Sequence, residues 1–205
     1  MRNKNTMIIM TQSRKSECRK VILAIILAMC CLTTVRGQSK FHFDIDYHYN
    51  LGLCEKMMGG TLKRSQYKMG GNSIQFTPRY DITRRWSAGI GIGFSRYTNL
   101  DYNTMPVYAT VRYKAIEKVP DLYLFTDLGY ALKVGDYTKG FTGNIGIGYT
   151  HMFKKHFGLN FQIAYNLKRF NDVPVYIYDV DTHETNYFNE NSTRHSLSFG
   201  IGVTL

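Results

Sequence analysis

The densest set of chemistry-bearing side chains is His42-x-Asp44-x-Asp46-x-His48, four residues of metal-ligand type at every second position. Spacing by two puts all four on one face of a strand, with successive members about 6–7 Å apart. Four in line cannot close on one ion unless neighbouring strands contribute. The pattern reads instead as a polar and ionic network, because buried charges need partners. Arg79, Arg112 and Asp127 fall on the matching faces of other segments and are expected in it, with Asp81, Lys114 and Lys133 pointing the same way.

Catalytic arrangements are sparse. His195 and Ser196 are the one adjacent His-Ser pair, but neighbours on a strand face opposite sides, so they cannot act as base and nucleophile. His151, His156 and His183 have no serine close in sequence. No Gly-rich phosphate cradle, zinc spacing or nucleophile elbow is present. The rows Gly89/Gly91/Gly93, Gly146/Gly148 and Gly200/Gly202 lie inside alternating segments and read as packing positions. No catalytic residue, cofactor or metal is assigned.

The elements that must carry these residues are strands. From Phe41 onward the dominant signal is period two. Phe41, Phe43, Ile45, Tyr47, Tyr49, Leu51 and Leu53 share one face and the His42 to His48 row shares the other. The same reading recurs near 73–80, 86–95, 105–114, 122–132, 141–150, 157–165 and 196–205, giving eight segments. Connections near 55–71, 98–104, 134–140 and 169–194 read as longer than those between, the rhythm of a barrel with turns at one end and loops at the other. The expected fold is all-β, an eight-stranded antiparallel up-and-down transmembrane β-barrel. The polar faces carry mostly Gly, Ser, Thr, Asn and Ala at mid-strand, which suits the crowded interior of eight strands. The large apolar side chains then face lipid. Tyr47, Tyr49, Tyr97, Tyr113, Phe141, Tyr149, Phe157 and Tyr165 sit toward segment ends, where an interfacial aromatic girdle would lie.

Residues 1–37 have the grammar of a cleaved export signal. Arg2, Lys4, Arg14, Lys15, Arg19, Lys20 and Arg36 stand against Glu17, and residues 21–32 are apolar. That run is shorter than the about 20 residues a spanning helix needs. Residues 38–205 form the expected barrel domain, with 19 basic and 14 acidic residues and no basic run of the nucleic-acid type. Cys18, Cys30 and Cys31 lie in the removable segment, so Cys54 remains alone. Cys30 follows a loose lipoprotein-like box, though apolar filler is the simpler reading.

Most of residues 40–205 resembles the small outer-membrane β-barrel domain family, the porin-like eight-stranded outer-membrane proteins of Bacteroidetes type. The resemblance rests on residues 80–94 (YDITRRWSAGIGIGF), 106–113 (PVYATVRY), 122–130 (LYLFTDLGY) and 199–205 (FGIGVTL). It implies a bacterial outer-membrane location and contact with outer-membrane lipid and lipopolysaccharide. It also implies a C-terminal assembly signal read by the barrel-assembly machinery, carried by Phe199, Gly200, Gly202 and Leu205. The expected role is non-enzymatic, structural or surface-interacting, through loops. Tyr176, Tyr178, Tyr187 and Phe188 are the candidate contacts for an extracellular protein partner, and Lys56, Lys63, Arg64 and Lys68 for lipopolysaccharide phosphates. Two alternatives stand beside it: a lipid A acyl-modifying enzyme, as a few barrels of this size are, and a soluble lipid-carrier-like barrel.

Overall fold

In the computed structural model the described residues are 40–98, 101–154, 157–178, 183 and 185–205. The export-signal reading of residues 1–37 lies outside them. Among the described residues nine strands form one antiparallel sheet: β1 (Phe41–Met57), β2 (Gly60–Lys63), β3 (Gly70–Asp81), β4 (Trp86–Thr98), β5 (Tyr102–Tyr113), β6 (Leu122–Leu132), β7 (Gly140–Lys154), β8 (Phe157–Tyr178) and β9 (Thr185–Thr204). β2 is a short hairpin partner of the β1 end, pairing Cys54 with Lys63 through Met57 with Gly60. The other eight close on themselves, since β9 pairs with β1 from Asp44↔Thr204 to Lys56↔Thr193. The fold is a closed, all-antiparallel, eight-stranded β-barrel.

Period two places the faces as the sequence requires. Asp44, Asp46, His48 and Asn50 are buried while Phe41, Tyr47 and Tyr49 are exposed. Every barrel strand repeats this, so Ile90, Leu128, Ile145 and Ile163 stand outside and Thr110, Asp127, Gln162 and Ser198 inside. Glycine is required where an interior ring lies against a neighbouring strand. A Cβ on Gly91 would meet the Tyr108 ring at 2.4 Å, and one on Gly148 the Tyr123 ring at 2.2 Å.

Three features depart from simple alternation. Register shifts between Gly52 and Cys54, and between Phe170 and Val173, add a residue and reverse the inside and outside positions beyond them. Glu55 and Val173 are thereby buried. Second, the expected loop 55–71 is about half strand and the loop 169–194 is a hairpin that continues the last two strands, and these stretches bury Glu55, Met69, Phe170, Val173, Ser192 and Arg194. Third, the connection rhythm is less regular than expected, because β4 and β5 are separated by only 99–101 whereas β5 and β6 are joined by 114–121. The asymmetry of the two ends comes from β8 and β9, 22 and 20 residues long, which continue as a hairpin to Tyr178↔Thr185.

Candidate functional site

The interior near the turn end is organised around Asp44. Strand pairing sets His42 beside Arg79 and Asp44 beside both Thr77 and Thr204, so several strands converge on one carboxylate. Asp44 accepts from Arg79 Nε at 3.2 Å and Thr204 Oγ1 at 2.7 Å, and pairs with Arg112 Nη2 at 2.8 Å. Arg79 Nη1 also donates to Asp81 at 3.1 Å and Ser87 at 3.2 Å. His42 Nε2 lies 3.0 Å from the second Asp81 oxygen. Asp81 thus faces His42 on one carboxylate oxygen and Arg79 on the other. A cavity of about 120 Å³ opens here, lined by His42, Arg79, Asp81, Arg112, Lys114 and Asp121 among others.

One layer further in, Asp46 accepts from Asn160 at 2.8 Å and Gln162 at 3.5 Å, with Arg112 at 3.9 Å. The Arg112 guanidinium lies 4.7 Å from the centre of the Tyr123 ring, whose hydroxyl donates to Asn160 at 2.5 Å. Asp127 accepts from Asn144 at 2.9 Å, and His48 Nδ1 is 3.3 Å from the Ser198 hydroxyl. The seven sequence-selected residues are thus distributed through the interior: Arg112 joins Asp44 and Asp46, Arg79 joins Asp44 to the mouth, and Asp127 and His48 have separate partners. Lys133 departs from its expected inward direction and is exposed, because β6 ends at Leu132. Among the described residues no three His, Cys, Asp or Glu side chains gather as a metal ion needs.

Sequence reasoning passed over a second ionic group at the loop end. Arg194 Nε and Nη2 reach Glu55 at 2.8 and 2.7 Å, and Ser192 donates to the other Glu55 oxygen. Arg194 Nη1 donates to the backbone carbonyls of Gly70 at 3.3 Å and Thr98 at 3.2 Å, tying β9 to β3 and β4. Extending the alternation of β9 by one step below Ser196 would have reached Arg194; Glu55 is concealed by the bulge. Tyr97, expected in the outer girdle, is 2% exposed and points inward against Phe170 at 5.1 Å. It occupies the inward position after Ser95, and the aromatic type alone misassigned it. The outer girdle instead includes Trp86, stacked on Tyr113 at 4.4 Å.

The remaining selected residues are divided between the outer face, the rims and the lumen. His195 is half-buried and Ser196 completely buried, on opposite faces. Tyr176 and Tyr187 stand side by side on the hairpin, 68% and 59% exposed, with ring centres 5.3 Å apart. Phe188 is half-buried and pairs with Val175; Tyr178 ends β8 opposite Thr185. Arg64 is not a free surface cation, since its Nη1 donates to the carbonyls of Met69 at 2.6 Å and Gly52 at 3.3 Å. Phe199 faces outward, Gly200 and Gly202 lie against His48 and Asp46, and Leu205 exchanges backbone hydrogen bonds with Phe43.

The described residues from Lys40 to Leu205 therefore form a closed antiparallel barrel with a polar, ion-paired interior and an apolar exterior. No protein-family profile matches it, and no curated protein matches its sequence. Solved structures with a similar fold include the outer membrane protein OprG from Pseudomonas aeruginosa, 13% identical over 83% of this chain and 97% of that one, with a TM-score of 0.42. Others are AlkL in lipid bilayers, 9% identical over 83% and 93% with a TM-score of 0.42, and Neisserial surface protein A, 17% identical over 80% and 97% with a TM-score of 0.39. Overlaps this loose transfer no residue roles, and the description of this barrel rests on its own strands.

Proposed function

We propose that residues 38–205 form an outer-membrane β-barrel of a Gram-negative envelope, with a non-enzymatic structural or surface-interaction role through its outer hairpin. The observation that carries this reading is the inversion of faces. Ile90, Ile145, Leu128 and Ile163, among the largest apolar side chains, are 57–67% exposed, while Asp44, Glu55, Lys168 and Arg194 are completely buried. A water-soluble barrel has no use for such a belt, which far exceeds the scattered apolar residues of ordinary surfaces. An 11-residue strand such as β6 rises about 36 Å and, tilted at ~40°, spans about 28 Å, close to the apolar height of a bilayer. Closure leaves no unpaired edge in lipid.

Lipopolysaccharide contact fits the rim above this belt. The register sets Lys56, Thr193 and Arg169 in one outward row, with both cations exposed and able to meet headgroup phosphates. Above it the β8–β9 hairpin leaves the barrel and presents Tyr176 and Tyr187, with strand edges suited to a partner that adds a strand. The C-terminal strand, with Phe199 and Leu205 outward, supplies the segment the assembly machinery would read. The Bacteroidetes assignment rests on the sequence resemblance alone.

The test is fractionation with heat-modifiable gel mobility. The mature protein should need detergent for extraction and migrate differently before and after boiling. Extraction from the periplasm without detergent would overturn the reading in favour of a soluble carrier, and altered lipid A acylation on expression would favour the enzyme.

A further inference from the structure

The loop end of the lumen is closed by an aromatic lid. Tyr97, Tyr102, Phe170 and Val173 are buried together, and the Phe170 ring lies 4.6 Å from that of Tyr102 across the interior. The Arg194 guanidinium lies 5.6 and 5.7 Å from the ring centres of Tyr97 and Phe170. β5 descends from this lid and β8 rises toward it. One inward step below Tyr102 is Thr104, and one below Phe170 is Lys168, so these two residues share the layer beneath the lid.

Lys168 is completely buried and its Nζ has no hydrogen-bond or ion-pair partner. Glu55, in the same row through Lys168↔Arg194 and Arg194↔Glu55, is already engaged by Arg194 and Ser192. Asp127, one row lower, accepts from Asn144. The hydroxyls of Tyr102, Thr104 and, one row down on the adjacent strand, Ser196 are also buried without partners. Buried polar groups are nearly always satisfied, and an unpaired buried ammonium is the costliest exception. The hydroxyls could accept from the ammonium, yet none of the four groups is within hydrogen-bond distance of another, and the neutral Asn166 Oδ1 one row lower is unpartnered as well; what the layer lacks is a shared central acceptor bearing one negative charge.

We propose that this layer is a binding site for a small monovalent anion of the halide class, held by Lys168 Nζ and by the hydroxyls of Tyr102, Thr104 and Ser196. A single charge matches the single ammonium, and the lid excludes large organic anions. The site is a property of the barrel interior and does not depend on what the hairpin binds.

The experiment uses the full mature barrel refolded in detergent. Crystals grown in sodium bromide should give an anomalous peak beside Lys168 Nζ. The thermal unfolding midpoint should rise with sodium chloride over sodium gluconate at equal ionic strength. The rise should vanish in Lys168→Met, a near-isosteric variant that removes the unpaired charge, and shrink in Thr104→Val. A chloride-independent midpoint in the natural protein, with no bromide beside Lys168, overturns the proposal, as does an equal chloride effect in Lys168→Met. Should that variant not fold, the bromide position in the natural protein decides alone.

Discussion

Replacing Arg112 with methionine removes the cation shared by two buried carboxylates while keeping an unbranched chain over Tyr123. Asp44 retains Arg79 at 3.2 Å and Thr204 at 2.7 Å. Asp46 retains only the amides of Asn160 and Gln162, so it becomes the carboxylate without a cation. Breaking a buried ion pair by removing one partner costs about 3–5 kcal/mol, and the surviving Arg79 contact puts Arg112→Met near the lower end. About 3 kcal/mol is more than a hundredfold in the folding equilibrium, and with a urea slope of about 1–3 kcal/mol per molar the midpoint should fall by roughly 1–3 M. The assay is reversible urea unfolding in phospholipid vesicles, followed by the fluorescence of the single tryptophan, Trp86. Asp46→Asn added to Arg112→Met should recover much of the loss, because the double variant strands no charge. A loss under about 0.5 kcal/mol for Arg112→Met, or a double variant no better than the single, would refute the idea of a dry ion-paired interior.

Further outcomes follow from the same geometry. Gly91→Ala sets a methyl group 2.4 Å from the Tyr108 ring and should cost about 1–3 kcal/mol by overpacking, with Tyr108→Ala in the same chain restoring room; the same urea assay reads both. Replacing residues 175–188 with a short turn should leave heat-modifiable mobility intact, since the buried Phe170, Val173, Ser192 and Arg194 all remain, but should abolish any partner binding by the hairpin, read by pull-down with the intact barrel as control.

The barrel was legible because period two survives wherever both faces have work to do. The rows Phe41 to Leu53 and His42 to Gly52 separate by type alone, and eight such segments leave few ways to bury the polar face. Legibility failed where alternation breaks or where residue type misleads. A single extra residue at Gly52/Cys54 turns Glu55 inward, and another at Phe170/Val173 does so for Val173. Tyr97 was expected outside because tyrosines favour interfaces, yet its position continues the inward set of β4. Lys168 and Arg194 each sit three residues beyond the paired Tyr165 and Leu197, where the obvious strands end. The pairing of Arg112 with Asp44 and Asp46 joins β5 to β1 across the lumen, a contact that adjacent-strand register does not specify.

What most needs testing is that, from Phe157 to Arg169 and before the register shift, the odd-numbered face of β8 touches lipid and the even-numbered face does not. The most direct test is a spin-label scan of residues 161–165 in a Cys54→Ser background reconstituted in vesicles. Labels at Phe161, Ile163 and Tyr165 should collide strongly with oxygen and be little exposed to a water-soluble nickel relaxant, and labels at Gln162 and Ala164 should have low access to both. Labels at Phe161, Ile163 and Tyr165 that respond to the nickel reagent rather than oxygen would place that face in water and contradict it.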